Sequence, residues 1–281
     1  MANWDQISES GSVDDRRSTS SGIALAGGGG IIALLLTLGL NYLGLNVPQS
    51  TVEDMLNTVS SLNQGASKMT QSEEFKGDDN YEVFVSKVVG SADTVWTDIF
   101  ARNNLTYEKA KLVLFRDATR TGCGLASTAV GPFYCPIDQS IYLDETFFDE
   151  LQTRYGSDKG DVAQAYVIAH EIGHHVQNQL GAFDHGTAQS SDESVAIELQ
   201  ADCYAGIWAY AEAKNNLFEN GEINEAISAA SAVGDDRIQQ AQGMTANPET
   251  WTHGSSAERV AAFNKGYTTG QPSQCKDLRQ M

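Results

Sequence analysis

Residues 161–181 read DVAQAYVIAHEIGHHVQNQLG, and this stretch decides the fold. It is proline-free and apolar on most faces, which predicts a buried helix from a start at Asp161, the expected N-cap, to a stop at Gly181. Within it stands His170-Glu171-Ile172-Gly173-His174. On a helix His170 and His174 lie four apart, so both imidazoles leave one face and can bind one zinc ion. Glu171 sits beside them, where it can take a proton from a water held by the metal. Buried polar groups need partners, and zinc would be that partner. The same short pattern also arises by chance, and a helix with two hydrogen-bonded histidines would show the same letters. Gly173 favours the metal reading, because a residue without a side chain lets a second helix approach.

A catalytic zinc takes three protein ligands and keeps one position open. The next segment, SSDESVAIELQADCYAGIWAYAEAK, opens with Ser190 and Glu193 at capping-box spacing. Glu198 and Asp202 then share a face with Ala201, Ala205 and Ala209. Glu198 is the candidate third ligand. Asp202 is the candidate carboxylate that orients a zinc-bound histidine through its other ring nitrogen. An exposed acidic face is the alternative in so acidic a chain, but Leu199, Cys203, Ile207 and Trp208 argue for burial.

Three histidines remain. His175 points about 100° away from His174 on a helix and reads as structural or as support for the site. His185, in a polar loop, reads as exposed. His253, in WTHGSSAERVAAFNKGY, precedes a helix that Ser255 or Ser256 could cap. It is equally a donor to a developing oxyanion or a histidine that pins a loop.

The chain has 281 residues and a formal charge of −19. That acidity argues against nucleic-acid binding, which calls for a basic patch. Residues 1–21 are polar and read as a cytoplasmic tail. No charge falls between Gly22 and Val52, and Arg16 and Arg17 precede that run. The expectation is one transmembrane helix at residues 22–46, with the N-terminus cytoplasmic and the remainder outside. A cleaved signal peptide or a buried core helix is the alternative. Residues 47–75 read as a linker and 76–281 as the folded domain. Four cysteines suit an oxidising compartment. Of three possible pairings, Cys123–Cys135 with Cys203–Cys275 is preferred, and reduced buried thiols are the alternative.

Helices are expected over residues 81–103, 147–155, 223–232, 235–242 and 256–265, besides the two that carry the acids and histidines. Strands are expected at 111–115 and 140–143, with 123–136 as loop. The pattern is α+β, mainly helical with a small sheet. Ile141, Tyr142 and Leu143 are expected to form an edge that pairs with an extended peptide substrate.

The runs TGCGLASTAVGPFYCPIDQSIYLDETFF, AYVIAHEIGHHVQNQLG, ELQADCYAGIWA, AVGDDRIQ and WTHGSSAERV resemble bacterial neutral zinc metallopeptidases of the YpfJ type, over about residues 75–281. The N-terminal VDDRR, glycine cluster and uncharged span resemble that family too. The resemblance implies a zincin fold of the gluzincin kind. It implies His170, His174 and Glu198 as ligands of one catalytic zinc, Glu171 as base and Asp202 as their support. It leaves Asp235, Asp236 and Arg237 without a role. The expected activity is a membrane-anchored endopeptidase, periplasmic or extracellular, acting on peptide or protein. A non-catalytic binding module, or a zinc hydrolase of a non-peptide amide such as a cell-wall crosslink, are the rival readings.

Overall fold

The computed structural model describes residues 1–17, 79–158, 160–183 and 190–276. Among them the elements run β1 (Ser12–Asp15), α1 (Asn80–Arg102), β2 (Lys111–Leu114), β3 (Ala118–Thr121), β4 (Gly124–Ser127), β5 (Phe133–Cys135), β6 (Ser140–Leu143), α2 (Phe147–Thr153), α3 (Asp161–Gln179), α4 (Ser191–Lys214), α5 (Ile223–Ala232), α6 (Asp235–Ala241) and α7 (Ser256–Thr269). This is the expected mainly helical α+β pattern. Helices α3, α4, α5 and α7 pack on one another, and α1 closes the other side of α3. Gly173 meets Ala201 so closely that a Cβ there would lie 2.9 Å from the Ala201 carbonyl oxygen. The bare backbone of α3 is what brings α4 alongside the two histidines.

Four strands form a sheet in the order β1-β2-β6-β5, and β3 pairs with β4 as a separate hairpin. Strand β6 lies inside the sheet. Leu112 and Val113 flank Ile141 and Tyr142 on one side, and Tyr134 and Phe133 on the other. Ile141, Tyr142 and Leu143 are therefore buried and do not form an open edge, which corrects the substrate-strand expectation. The cause is β5, hidden in the Cys- and Pro-containing stretch read as loop. Strands of three or four residues carry too little alternation to be seen alone.

Residues 1–17 belong to the domain rather than to a separate tail. Strand β1 pairs in parallel with β2, from Ser12 with Lys111 to Asp15 with Leu114. Trp4 is buried and meets Phe84 edge-on, with ring centroids 5.1 Å apart. The domain therefore does not start near residue 76. The anchor expected at 22–46 and the linker at 47–75 lie outside the described residues. Among the described residues no helix is long and apolar enough to cross a membrane.

The disulfides are Cys123–Cys135 and Cys203–Cys275, and no cysteine is free. The first ties the β3–β4 hairpin region to β5, and the second ties the C-terminal turn Pro272–Cys275 to α4.

Candidate metal centre

Helix α3 begins not with an Asp161 cap but after Gly160, which makes no side-chain cap. Its first turn is held from elsewhere. Asp161 accepts from the Ala2 amide (2.9 Å) and the Trp4 indole (2.6 Å), and Val162 N–H donates to Glu225 (3.1 Å). Helix α4 begins as expected, with the Ser190 hydroxyl accepting from the Glu193 amide. These two helices bring His170, His174 and Glu198 together, with one ligand atom of each within 4.8 Å of the others. His170 Nε2 is 3.2 Å and His174 Nε2 3.5 Å from the Glu198 carboxylate.

Both rings are locked at their other nitrogen. His170 Nδ1 lies 2.8 Å from Asp202, which is fully buried. A carboxylate only accepts, so Nδ1 carries a proton, and Nε2 is the nitrogen left to face a metal once the ring is neutral. His174 Nδ1 lies 2.8 Å from Gln177 Oε1. The Gln177 amide nitrogen donates to the Ile197 carbonyl and to Gln200, which fixes the amide oxygen as acceptor and again leaves Nε2 free. Two imidazoles presenting Nε2 and a carboxylate that converge on one point are a zinc donor set, so these residues fit the ion. Orienting partners of this kind commonly steady metal-bound histidines.

Asp202 is itself gripped. Arg259 on α7 donates Nε to Oδ2 (2.8 Å) and Nη2 to Oδ1 (3.0 Å), and Tyr166 donates its hydroxyl at 2.5 Å. Burial opposes ionisation of Asp202, but the Arg259 charge and His170 outweigh it and lower its pKa. Burial also opposes protonation of His170, yet Asp202 and Glu198 carry its pKa up to about 10 in the absence of metal. Burial raises the pKa of Glu171, moderated by His174 and His170. That gives the carboxyl a stronger hold on a proton than an exposed glutamate has.

His253 is half-exposed on the loop before α7. Its Nδ1 lies 3.1 Å from Asp235, the first residue of α6, and that carboxylate also accepts the backbone amides of Thr252, His253 and Gly254. Gly254 takes a positive φ of 90° to make this turn. Partial desolvation opposes protonation of His253, but the Asp235 hydrogen bond and the nearby Glu198 charge raise its pKa. His253 thus lies within electrostatic reach of the cluster. Asp236 does different work: it accepts from the Ser256 amide and hydroxyl and so holds the start of α7. Arg237 donates to the Tyr155 carbonyl.

His175 is structural. Its Nε2 is 2.8 Å from the Glu108 carbonyl, its Nδ1 is 3.1 Å from the Tyr134 hydroxyl, and burial lowers its pKa. His185 lies outside the described residues. Tyr166, Gln177 and Arg259 were missed in the sequence. Tyr166 and Gln177 sit at i−4 and i+3 from His170 and His174, a signal legible once the helix is known. Arg259 gives no local signal.

The family profile that matches this chain is described as "putative neutral zinc metallopeptidase" and covers residues 2–278. A protein named YpfJ from Escherichia coli strain K12 is 37% identical over 288 residues, covering 97% of each chain. Mb2605 from Mycobacterium bovis and Rv2575 from Mycobacterium tuberculosis are each 46% identical over 198 residues, 66% of each chain. All three carry the description "uncharacterized". No solved structure matches. Nearly full-length coverage by the profile and by a relative shows that the chain belongs to the putative neutral zinc metallopeptidase family.

Proposed function

We propose that the protein is a zinc-dependent endopeptidase with Glu171 as general base. The observation that carries this reading is the convergence of His170, His174 and Glu198, with both Nδ1 atoms occupied and a buried carboxyl beside them. His170, His174 and Glu198 would hold one zinc ion. When bound, zinc polarises the scissile carbonyl and acidifies water at the site. Glu171 takes the proton from the attacking water and delivers it to the departing amine nitrogen. The raised pKa of its carboxyl suits both halves of that transfer. His253, held at Nδ1 by Asp235, donates from Nε2 to the carbonyl oxygen as charge develops there.

A module that used zinc only for structure would have no use for a buried carboxyl beside the ligands. The test is cleavage of an unbiased peptide library by the full chain, with and without chelator. The full chain is required because residues 1–17 are part of the domain. Chelator-sensitive cleavage at internal peptide bonds supports the reading. Zinc binding without cleavage would favour a non-catalytic binding module. Hydrolysis confined to non-peptide amides would move the substrate class. We further propose that the domain works outside the cytoplasm, supported by two disulfides and no free cysteine.

A further inference from the structure

We infer that the N-terminal segment and the zinc domain lie on the same side of any membrane that the chain meets, because Arg17 and Asp79, the described residues on either side of 18–78, meet at one point of the domain. Arg17 and Asp79 touch. Arg17 is buried, and its guanidinium donates to both oxygens of Asp79, at 3.1 and 3.2 Å. The same guanidinium reaches Asp15 (2.7 Å) and Glu145 (2.6 Å). Three carboxylates gather around this buried cation, with Arg116 also pairing with Glu145, and withdrawing Arg17 would leave Asp15 and Asp79 facing one another without it.

The segment before Arg17 is anchored to the domain at several points. Strand β1 extends the sheet through four residue pairs. Gly11 and Gly90 pack backbone to backbone: a Cβ on Gly11 would fall 2.5 Å from the Ser86 carbonyl oxygen and 2.8 Å from the Gly90 nitrogen. A glycine inside helix α1 otherwise costs about 1 kcal/mol against alanine, and this contact accounts for it. Farther back, Ala2 and Trp4 hold Asp161 at the start of the zinc helix.

Geometry then excludes a single crossing. The hydrocarbon layer of a bilayer is about 30 Å thick, whereas paired strands lie about 4.8 Å apart. An odd number of crossings between Arg17 and Asp79 would put β1 and β2 on opposite faces. Only an even number, zero included, leaves them paired. The N-in, domain-out orientation expected from Arg16 and Arg17 therefore does not hold. Those arginines are engaged in the fold, Arg16 with Asp14 and Arg17 with the cluster, and their charge has a structural use. None of this depends on the protein being a peptidase.

The experiment uses the full chain in intact bacterial cells and a membrane-impermeant maleimide. Ser12→Cys and Arg120→Cys, both at exposed positions, are labelled in separate variants before and after lysis. Matching behaviour is the expected result. Labelling of both in intact cells also supports the exoplasmic placement. Labelling of both only after lysis keeps the inference and sinks that placement. One site labelled in intact cells and the other only after lysis overturns the inference. As a second arm, Ser12→Cys with Lys111→Cys, partners in the β1–β2 register, should form a disulfide within one chain on oxidation. A disulfide-linked dimer in its place would overturn the intrachain pairing.

Discussion

The Arg259 guanidinium clasps both oxygens of the Asp202 carboxylate, at 2.8 and 3.0 Å, inside the protein and beside His170. Asp202 passes that restraint to His170. Substituting Arg259 by Met leaves a buried carboxylate without its cation. Such breakage costs about 3–5 kcal/mol of stability, and loss of an orienting partner costs about 10–100-fold in metal affinity. Thermal unfolding and a zinc competition titration check the two effects. Arg259→Lys keeps the charge but loses the fork, and should recover only part of either. Unchanged zinc affinity in folded Arg259→Met would detach the arginine from the site.

Glu171→Gln should retain zinc and lose turnover by about 10²–10⁴-fold, the range for removal of a general base. Metal content by elemental analysis and kcat on a cleaved library peptide are the readouts. A variant with full kcat would remove Glu171 from the mechanism.

Activity should also fall on the alkaline side as His253 loses its proton. Asp235 raises the pKa of that ring, so the donor is present at lower pH and lost as pH rises through the raised value. Asp235→Asn removes the raising charge and should move the alkaline limb of the kcat profile to lower pH. An unmoved limb would mean that His253 only pins its loop.

A second pH effect concerns stability alone. Burial raises the Asp93 carboxyl to about 6, against the Ala110 amide and Tyr107 hydroxyl that favour its charged form. The folded value exceeds the unfolded one, near 3.9. Its contribution is therefore fully present below about 3.9 and is lost as pH rises through about 6. Asp93→Asn should gain Tm relative to the parent between pH 4 and pH 7. Parallel Tm curves would contradict this.

Trp4→Ala should destabilise the domain by about 3 kcal/mol, the low end for truncating a large buried aromatic. It should also loosen the first turn of α3, since Asp161 loses one of its two donors. Chemical denaturation and amide exchange at Val162–Ala165 measure the two effects. Wild-type stability would show that residues 1–17 are dispensable.

The sequence by itself determined what is local. Helical period placed α1 and α3, and period together with caps placed the starts of α4 and α7, to within a few residues, and the four-residue spacing put His170 with His174 and Glu198 with Asp202. Side chains four apart on a helix share a face wherever the helix lies. Tertiary structure decided the rest. It made β5 and not β6 a sheet edge, because pairing partners far apart in the chain leave no local period. It drew β1 and Arg17 into the domain, where an arginine pair read alone had looked like a topology signal. It brought Arg259 to Asp202 across 57 positions of chain, because packing of α7 on α4 sets that contact and spacing does not.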